Sequence, residues 1–175
     1  MKTLKKRLRV LFLCTGNSCR SQMAEGWTRK LRNDLIKVYS AGVETHGLNP
    51  NAVEVMAEAG VDISNQHSKR VDEFRDIELD AVITVCGHAH ETCPHFPPRC
   101  RVIHVGFDDP PKMAKKLASK RINQAGQLDC YRKVRDEIRA FVENMPKNIF
   151  NPKSNCSHYS CATNARSSSL FMKFI

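Results

Sequence analysis

Short, almost uninterrupted apolar runs alternating with amphipathic stretches most limit the folds open to this chain. Val10-Leu11-Phe12-Leu13, Lys37 to Val43, Asp80 to Cys86 and Cys100 to Phe107 read as strands. The third is too continuously apolar for an exposed edge and belongs inside a sheet. Between the runs lie helical patterns. Met23, Ala24, Trp27 and Leu31 fall on one helix, and Asn49-Pro50 opens a second with Ala52, Val53, Met56 and Ala57 as its apolar stripe and Gly60 at its end. A short helix is expected around Val71 to Phe74, a turn-rich loop from Gly87 to Arg99, and a basic helix from Met113 to Ile122. After a break at Gly126, Leu128 to Met145 reads as a long closing helix carrying Val134, Ile138, Phe141 and Val142 on one face. Asp108-Asp109-Pro110-Pro111 breaks the fourth strand, because two prolines cannot continue a ladder. The alternation predicts an α/β architecture, a four-stranded parallel sheet flanked by helices. Sites in such sheets form at the carboxyl ends of the strands, which brings Cys14, Cys86 and Asp108-Asp109 to one edge.

The 175 residues suffice for one domain with a substantial core, expected over residues 1–147. Residues 148–175 are polar and serine-rich, hold Cys156 and Cys161 without an apolar period, and read as a tail. The basic start before Val10 resembles a signal peptide only superficially, since the apolar stretch is too short and no small-residue cleavage site follows. A solvated basic terminus and a chain without membrane insertion are expected. The formal charge of +10 is spread between the N-terminus, Arg29 to Arg32 and Lys112 to Arg121, without interleaved aromatics. That pattern fits a surface attractive to small oxyanions or an acidic partner better than a nucleic-acid interface. Eight cysteines without a secretory signal point to a reducing, cytoplasmic setting, where cysteines are reduced, metal-binding or catalytic.

Cys14-Thr15-Gly16-Asn17-Ser18-Cys19-Arg20-Ser21 joins the first strand to the first helix. A cysteine and an arginine separated by five residues at such a turn make an oxyanion trap. Backbone N–H groups point inward, the helix N-terminus adds positive potential, and Arg20 offers a bidentate fork. The same field is expected to lower the pKa of Cys14 and make it an ionised nucleophile. A small buried hydrophobe would explain the cysteine alone, but not the arginine or the Gly-Asn-Ser turn.

Cys86, ending the third strand, could reach a group bound at Cys14, and Cys93 lies seven residues further along the loop. A nucleophile, a second thiol and a third to relieve it form a relay for thiol–disulfide exchange. Asp109, before a proline at the rim, is placed as a proton donor to a departing oxygen. Cys86, His88, His90, Cys93 and His95 also raise the possibility of a zinc or arsenite-binding module. The spacing lacks a compact Cys-x2-Cys pair and leaves Cys14 and Arg20 unexplained, so no metal and no cofactor are expected. The Cys19 side chain is expected to point into packing, and Cys100, Cys130, Cys156 and Cys161 to be structural or incidental.

With these residues assembled, the chain resembles the thioredoxin-coupled arsenate reductases, which share the low-molecular-weight protein tyrosine phosphatase fold. The resemblance is carried by Cys14 to Trp27, Tyr39-Ser40-Ala41-Gly42, Glu44-Thr45-His46-Gly47 with Asn49-Pro50, and Asp62-Ile63-Ser64-Asn65. Cys86, Cys93-Pro94, Gly106 to Pro110 and Val134 to Ile138 continue it, so that Arg9 to Met145 is covered. The resemblance implies that arsenate binds in the cradle of Thr15, Gly16, Asn17, Ser18, Cys19 and Arg20. Cys14 attacks arsenic, Asp109 protonates the leaving water, Ser21 hydrogen-bonds the Cys14 thiolate and Asn17 orders the loop. Cys86 then attacks Cys14, arsenite leaves, Cys93 attacks Cys86, and the loop with the new disulfide swings out to thioredoxin. It further implies a monomer, a role in arsenical detoxification, and weak phosphatase activity.

Two departures from the family pattern stand out. Some relatives hold potassium with an Asn, a Glu, a Ser and an Asp; Asn17, Glu25 and Ser40 match, whereas Lys69 stands where the Asp would fall. Its ammonium is expected to replace the ion. The stretch Met113 to Asp129 is also longer than in compact members. A protein tyrosine phosphatase is the main rival reading, since the cradle alone does not separate phosphate from arsenate. Cys86 and Cys93 have no use in a phosphatase, and no aromatic follows Asp109-Pro110 to grip a phenyl ring.

Overall fold

The computed structural model describes residues 6–150. Four parallel strands, β1 (Leu8–Cys14), β2 (Ile36–Gly42), β3 (Ala81–Thr84) and β4 (Arg101–His104), lie in the order β2-β1-β3-β4. Six helices accompany them: α1 (Arg20–Leu31), α2 (Pro50–Glu58), α3 (Gly87–Glu91), α4 (Pro110–Ser119), α5 (Gln124–Glu143) and α6 (Lys147–Phe150). A 3₁₀ turn covers Val71–Phe74.

The β1 strand is interior, paired with β2 from Leu8↔Ile36 to Cys14↔Gly42 and with β3 from Val10↔Ala81 to Leu13↔Thr84. Neighbours on both edges and layers on both faces leave Val10, Leu11, Phe12 and Leu13 with 0% exposure. Burial of each such side chain contributes roughly 1.5–3 kcal/mol, which makes β1 the anchor of the fold. α1 packs against β1, β2 and α5, and α5 in turn carries α2 and α4. Met23 and Trp27 of α1 and Val134, Ile138, Phe141 and Val142 of α5 are buried in that layer.

The helix boundaries show where local chemistry prevailed over periodicity. The Asn49 side chain accepts from the Ala52 N–H and Pro50 takes the first helical position, as expected for α2. The same device operates at α4, where Asp109 accepts from the Lys112 N–H ahead of Pro110 and Pro111. The two prolines thus begin the basic helix instead of merely ending the strand, and α4 runs from Pro110 instead of Met113. Asn123 accepts from the Gly126 N–H, so Gly126 lies inside the first turn of α5 and the helix begins at Gln124. The fourth strand is shorter than Cys100 to Phe107, and the third stops at Thr84, two residues before Cys86. The stretch expected as a loop from Gly87 opens with the single-turn helix α3. At the C-terminal border α6 buries Ile149 against the core. The remainder of the tail, with Cys156 and Cys161, lies outside the described residues.

Candidate active site

β1 delivers Cys14 to the carboxyl edge of the sheet, and the chain then curls through Thr15–Cys19 into α1. Four carbonyls of this curl are bonded by the segment after β2. Val43 N donates to Cys14 O (3.2 Å), Glu44 N to Thr15 O (2.9 Å), His46 N to Gly16 O (2.9 Å) and Asn49 N to Ser18 O (2.9 Å). In a trans peptide the N–H points opposite to the C=O, so the amides of Thr15, Gly16, Asn17 and Cys19 are turned to the other side. One of them is seen at work: Asn17 N donates to Cys14 Sγ at 3.1 Å. Gly42 is required where this strap leaves the sheet. A Cβ there would lie 2.2 Å from Glu44 O, 2.6 Å from Thr15 O and 2.8 Å from Asn17 N, all backbone atoms.

Asn17 is fully buried with φ +44°, a conformation that asparagine tolerates better than most residues. Its Nδ2 donates to Ser21 Oγ and to Ser40 Oγ, both at 2.9 Å, while its Oδ1 accepts from Gln22 Nε2 at 3.0 Å and Lys69 N at 2.8 Å. Because the Asn17 amide uses its two protons on the two hydroxyls, each hydroxyl directs its own proton elsewhere. Ser21 donates to Cys14 Sγ across 2.8 Å, and Ser40 donates to the Glu25 carboxylate. A chain of oriented groups thus runs from Glu25 through Ser40, Asn17 and Ser21 to the sulfur.

Arg20, the first residue of α1, turns its guanidinium toward the loop after β4. Nη1 donates to Phe107 O at 3.1 Å and Nη2 to Asp109 Oδ2 at 2.9 Å. Asp109 therefore serves two elements, with one oxygen on Arg20 and the other capping α4. Burial pushes the Cys14 thiol above its ordinary value. The Ser21 hydroxyl pulls it down, the neighbouring Cys86 adds to the rise, and the Asn17 and Ser21 backbone amides oppose it. The expected lowering by the local field is corrected here: desolvation prevails over the donors around the sulfur, and the Arg20 guanidinium is turned to Asp109. Cys19 is likewise buried with its thiol pushed strongly up by desolvation.

Cys86 is buried at the N-cap of α3, and its Sγ stands 3.4 Å from the Thr15 hydroxyl at the rim of the cup. Cys93 is half-buried just past the other end of α3, and burial pushes its thiol up to about 11. Helix α3 stands between the two cysteines: Cys86 is its N-cap and Cys93 lies one residue past its C-cap, Thr92, so the rise of about 1.5 Å per residue along Gly87–Glu91 sets the ends of the turn apart while it is wound.

The family model for low molecular weight phosphotyrosine protein phosphatase matches residues 9–153. The chain belongs to that family. An arsenate reductase of Halalkalibacterium halodurans is 50% identical over 129 residues, covering 74% of this chain and 88% of the relative. A solved arsenate reductase in its oxidised state superposes with a TM-score of 0.65 at 32% identity, covering 81% of this chain and 98% of the other. The thioredoxin-dependent arsenate reductase of Corynebacterium glutamicum has the same fold, with a TM-score of 0.60 at 24% identity over 85% of this chain and 64% of that one.

Within this phosphatase-family cup, Lys69 sits against Glu25, with Nζ 3.4 Å from Oε2 and 3.0 Å from His67 O. Arg29 pairs with the other Glu25 oxygen. The carboxylate is 2% exposed and already carries two cations, so these residues do not fit an additional potassium ion. His88, His90 and His95 do not join Cys86 and Cys93 in a common site; no group of three or more His, Cys, Asp or Glu side chains converges to hold a metal among the described residues. No helix of the described residues is long and apolar enough to cross a membrane. Two features escaped the sequence reading: the strap of residues 43–49 bonded to the cradle, and α3 between the two cysteines. The motif Glu44-Thr45-His46-Gly47 marked the strap as notable, without showing that its amides clamp the loop.

Proposed function

We propose that the chain is an arsenate reductase that uses a three-cysteine relay regenerated by thioredoxin. Arsenate is held by the amides of Thr15 to Cys19 and by Arg20, whose guanidinium exchanges Asp109 for the oxyanion. The Cys14 thiolate, favoured by the Ser21 hydroxyl, attacks arsenic, and Asp109 gives its proton to the departing water. Cys86 attacks Cys14 Sγ; the As–S bond breaks, its electron pair goes to arsenic, and arsenite leaves as the Cys14–Cys86 disulfide forms. Cys93 then attacks Cys86 and frees Cys14 as a thiolate. The Cys86–Cys93 disulfide passes to the dithiol of thioredoxin, so two electrons enter for each arsenate reduced. The unwinding of α3 that lets Cys93 reach Cys86 also removes the burial that keeps its thiol protonated.

The observation that carries this reading is Cys86 at the lip of the cup, beside Thr15 and close enough to Cys14 to perturb it. Ester hydrolysis through Cys14, Arg20 and Asp109 is a side activity of the same cup, favoured by the family relationship. The working unit is a cytoplasmic monomer whose domain runs past the expected border at 147 through α6, since Ile149 is buried against the core. The test is arsenate-dependent NADPH oxidation with thioredoxin and its reductase, repeated with glutaredoxin and glutathione. Cys14→Ser is expected to abolish arsenate turnover and p-nitrophenyl phosphate hydrolysis alike. Cys86→Ser and Cys93→Ser should abolish only the first; loss of ester hydrolysis in all three variants would refute this division of roles.

A further inference from the structure

Helix α3 is a single turn, too short to stand on its own hydrogen bonds, so its attachment to the sheet decides whether it stays wound. That attachment is unusual in kind. His90 of α3 and His104 of β4 stack with ring centroids 4.6 Å apart and planes 29° from parallel. Both Nδ1 atoms face the buried Thr84 hydroxyl of β3, at 3.4 Å for His90 and 3.0 Å for His104. A hydroxyl between two imidazole nitrogens can donate to one and accept from the other only while at least one ring is neutral. Two imidazolium ions at this separation would repel each other across a poorly solvated gap.

We infer that the His90–His104 stack, tied at Thr84, is a pH-sensitive clasp that keeps α3 wound and so holds Cys86 and Cys93 apart. The inference rests on the relay proposed above. Protonation loosens the clasp and, once both rings are charged, opens it; α3 then unwinds more readily, and the Cys86–Cys93 disulfide becomes easier to form. The sign follows from the surroundings of His104, whose pKa lies below its ordinary value because of burial and then the His90 ring. A base depressed in the closed form holds that form together above the open-form value of about 6.5, and its contribution is lost as pH falls. His90 from α3 and Thr84 from β3 are the groups that act on His104. The other titratable side chains of α3, His88 and Glu91, are exposed.

The test equilibrates the full chain with reduced and oxidised dithiothreitol between about pH 5 and 8, spanning the imidazole titration. The Cys86–Cys93 disulfide is quantified by alkylation and peptide mass, and p-nitrophenyl phosphate hydrolysis checks that each variant is folded. At the alkaline end His90→Ala should raise the disulfide equilibrium constant about tenfold over the unsubstituted chain, through loss of a stacked pair and a hydrogen bond. That excess should shrink toward one at the acid end, where protonation has already opened the unsubstituted clasp. His90→Phe keeps the ring contact and should stay near the unsubstituted constant at alkaline pH, then fall below it as pH drops. A ratio of one throughout, or an excess that does not change with pH, would overturn the clasp. A disulfide that forms in no variant while ester hydrolysis persists would overturn the relay itself, and the clasp with it.

Discussion

Replacement of Ser21 by alanine tests whether Cys14, the proposed nucleophile, depends on one hydroxyl. Ser21 Oγ lies 2.8 Å from Cys14 Sγ, and the Asn17 amide fixes the hydroxyl proton toward the sulfur. Burial works against the thiolate, with only this hydroxyl and the Asn17 and Ser21 amides opposing it. A hydrogen bond to a charged group is worth about 1.5–3 kcal/mol. Its loss should therefore lower the thiolate population roughly ten- to hundredfold wherever the thiol is still mostly protonated. Asn17 Nδ2 would also lose a buried acceptor, which should reduce stability by about 1–3 kcal/mol in urea unfolding. Cys14 reactivity is read as the rate of alkylation by iodoacetamide against pH, located by peptide mass. The kcat/KM for p-nitrophenyl phosphate is followed over the same range. The expected result is an acid limb displaced to higher pH, with the difference narrowing as alkali ionises the variant's thiol. An unmoved limb, or an equal loss at every pH, would show that the hydroxyl has only a packing role.

Asp109→Asn preserves the cap on α4, since asparagine also accepts from the Lys112 amide, but it removes the proposed acid; ester hydrolysis should fall about 100- to 10,000-fold, with no more than about 1 kcal/mol of stability lost from the half-exposed pair with Arg20. Gly42→Ala forces a methyl among three backbone atoms of the strap and cradle. It should cost about 3 kcal/mol or more by thermal or urea unfolding and abolish both activities. Potassium titrated at constant ionic strength should leave arsenate turnover unchanged, because the Lys69 ammonium already lies beside Glu25; activation by the ion would contradict this. Lys69→Met should destabilise the fold by about 3 kcal/mol, the low end for a broken buried pair, because Arg29 still reaches the carboxylate.

The parts of this molecule written in short-range patterns could be read from the residues. Val10 to Leu13 announce an interior strand because nothing polar interrupts them, and Cys14 to Ser21 announce a strand-to-helix turn because glycine and asparagine follow the apolar run and an amphipathic helix comes after them. The helix starts at Pro110 and Gln124 were open to the rule that placed α2, since Asp109 and Asn123 are capping residues in the same position as Asn49. They were obscured because proline and glycine were read as interruptions. α3 left no trace, as five residues are too few to show a period and its flanks, Cys-Gly and Cys-Pro, resemble a loop. The Cys14 electrostatics were misjudged for a different reason. Sequence reveals that an arginine is near, but not that burial outweighs the donors around the sulfur, nor that an aspartate 89 residues away pairs with the arginine.

The clamp of residues 43–49 on the cradle carries a consequence for selectivity. With its carbonyls fastened from outside, the loop cannot relax around a guest, so the work of aligning its dipoles is done once, when the chain folds. A receptor of fixed form measures only outline and charge, and tetrahedral dianions of similar size are alike in both. On the proposed relay, sorting among them must come after docking, from whether the central atom accepts an electron pair from sulfur.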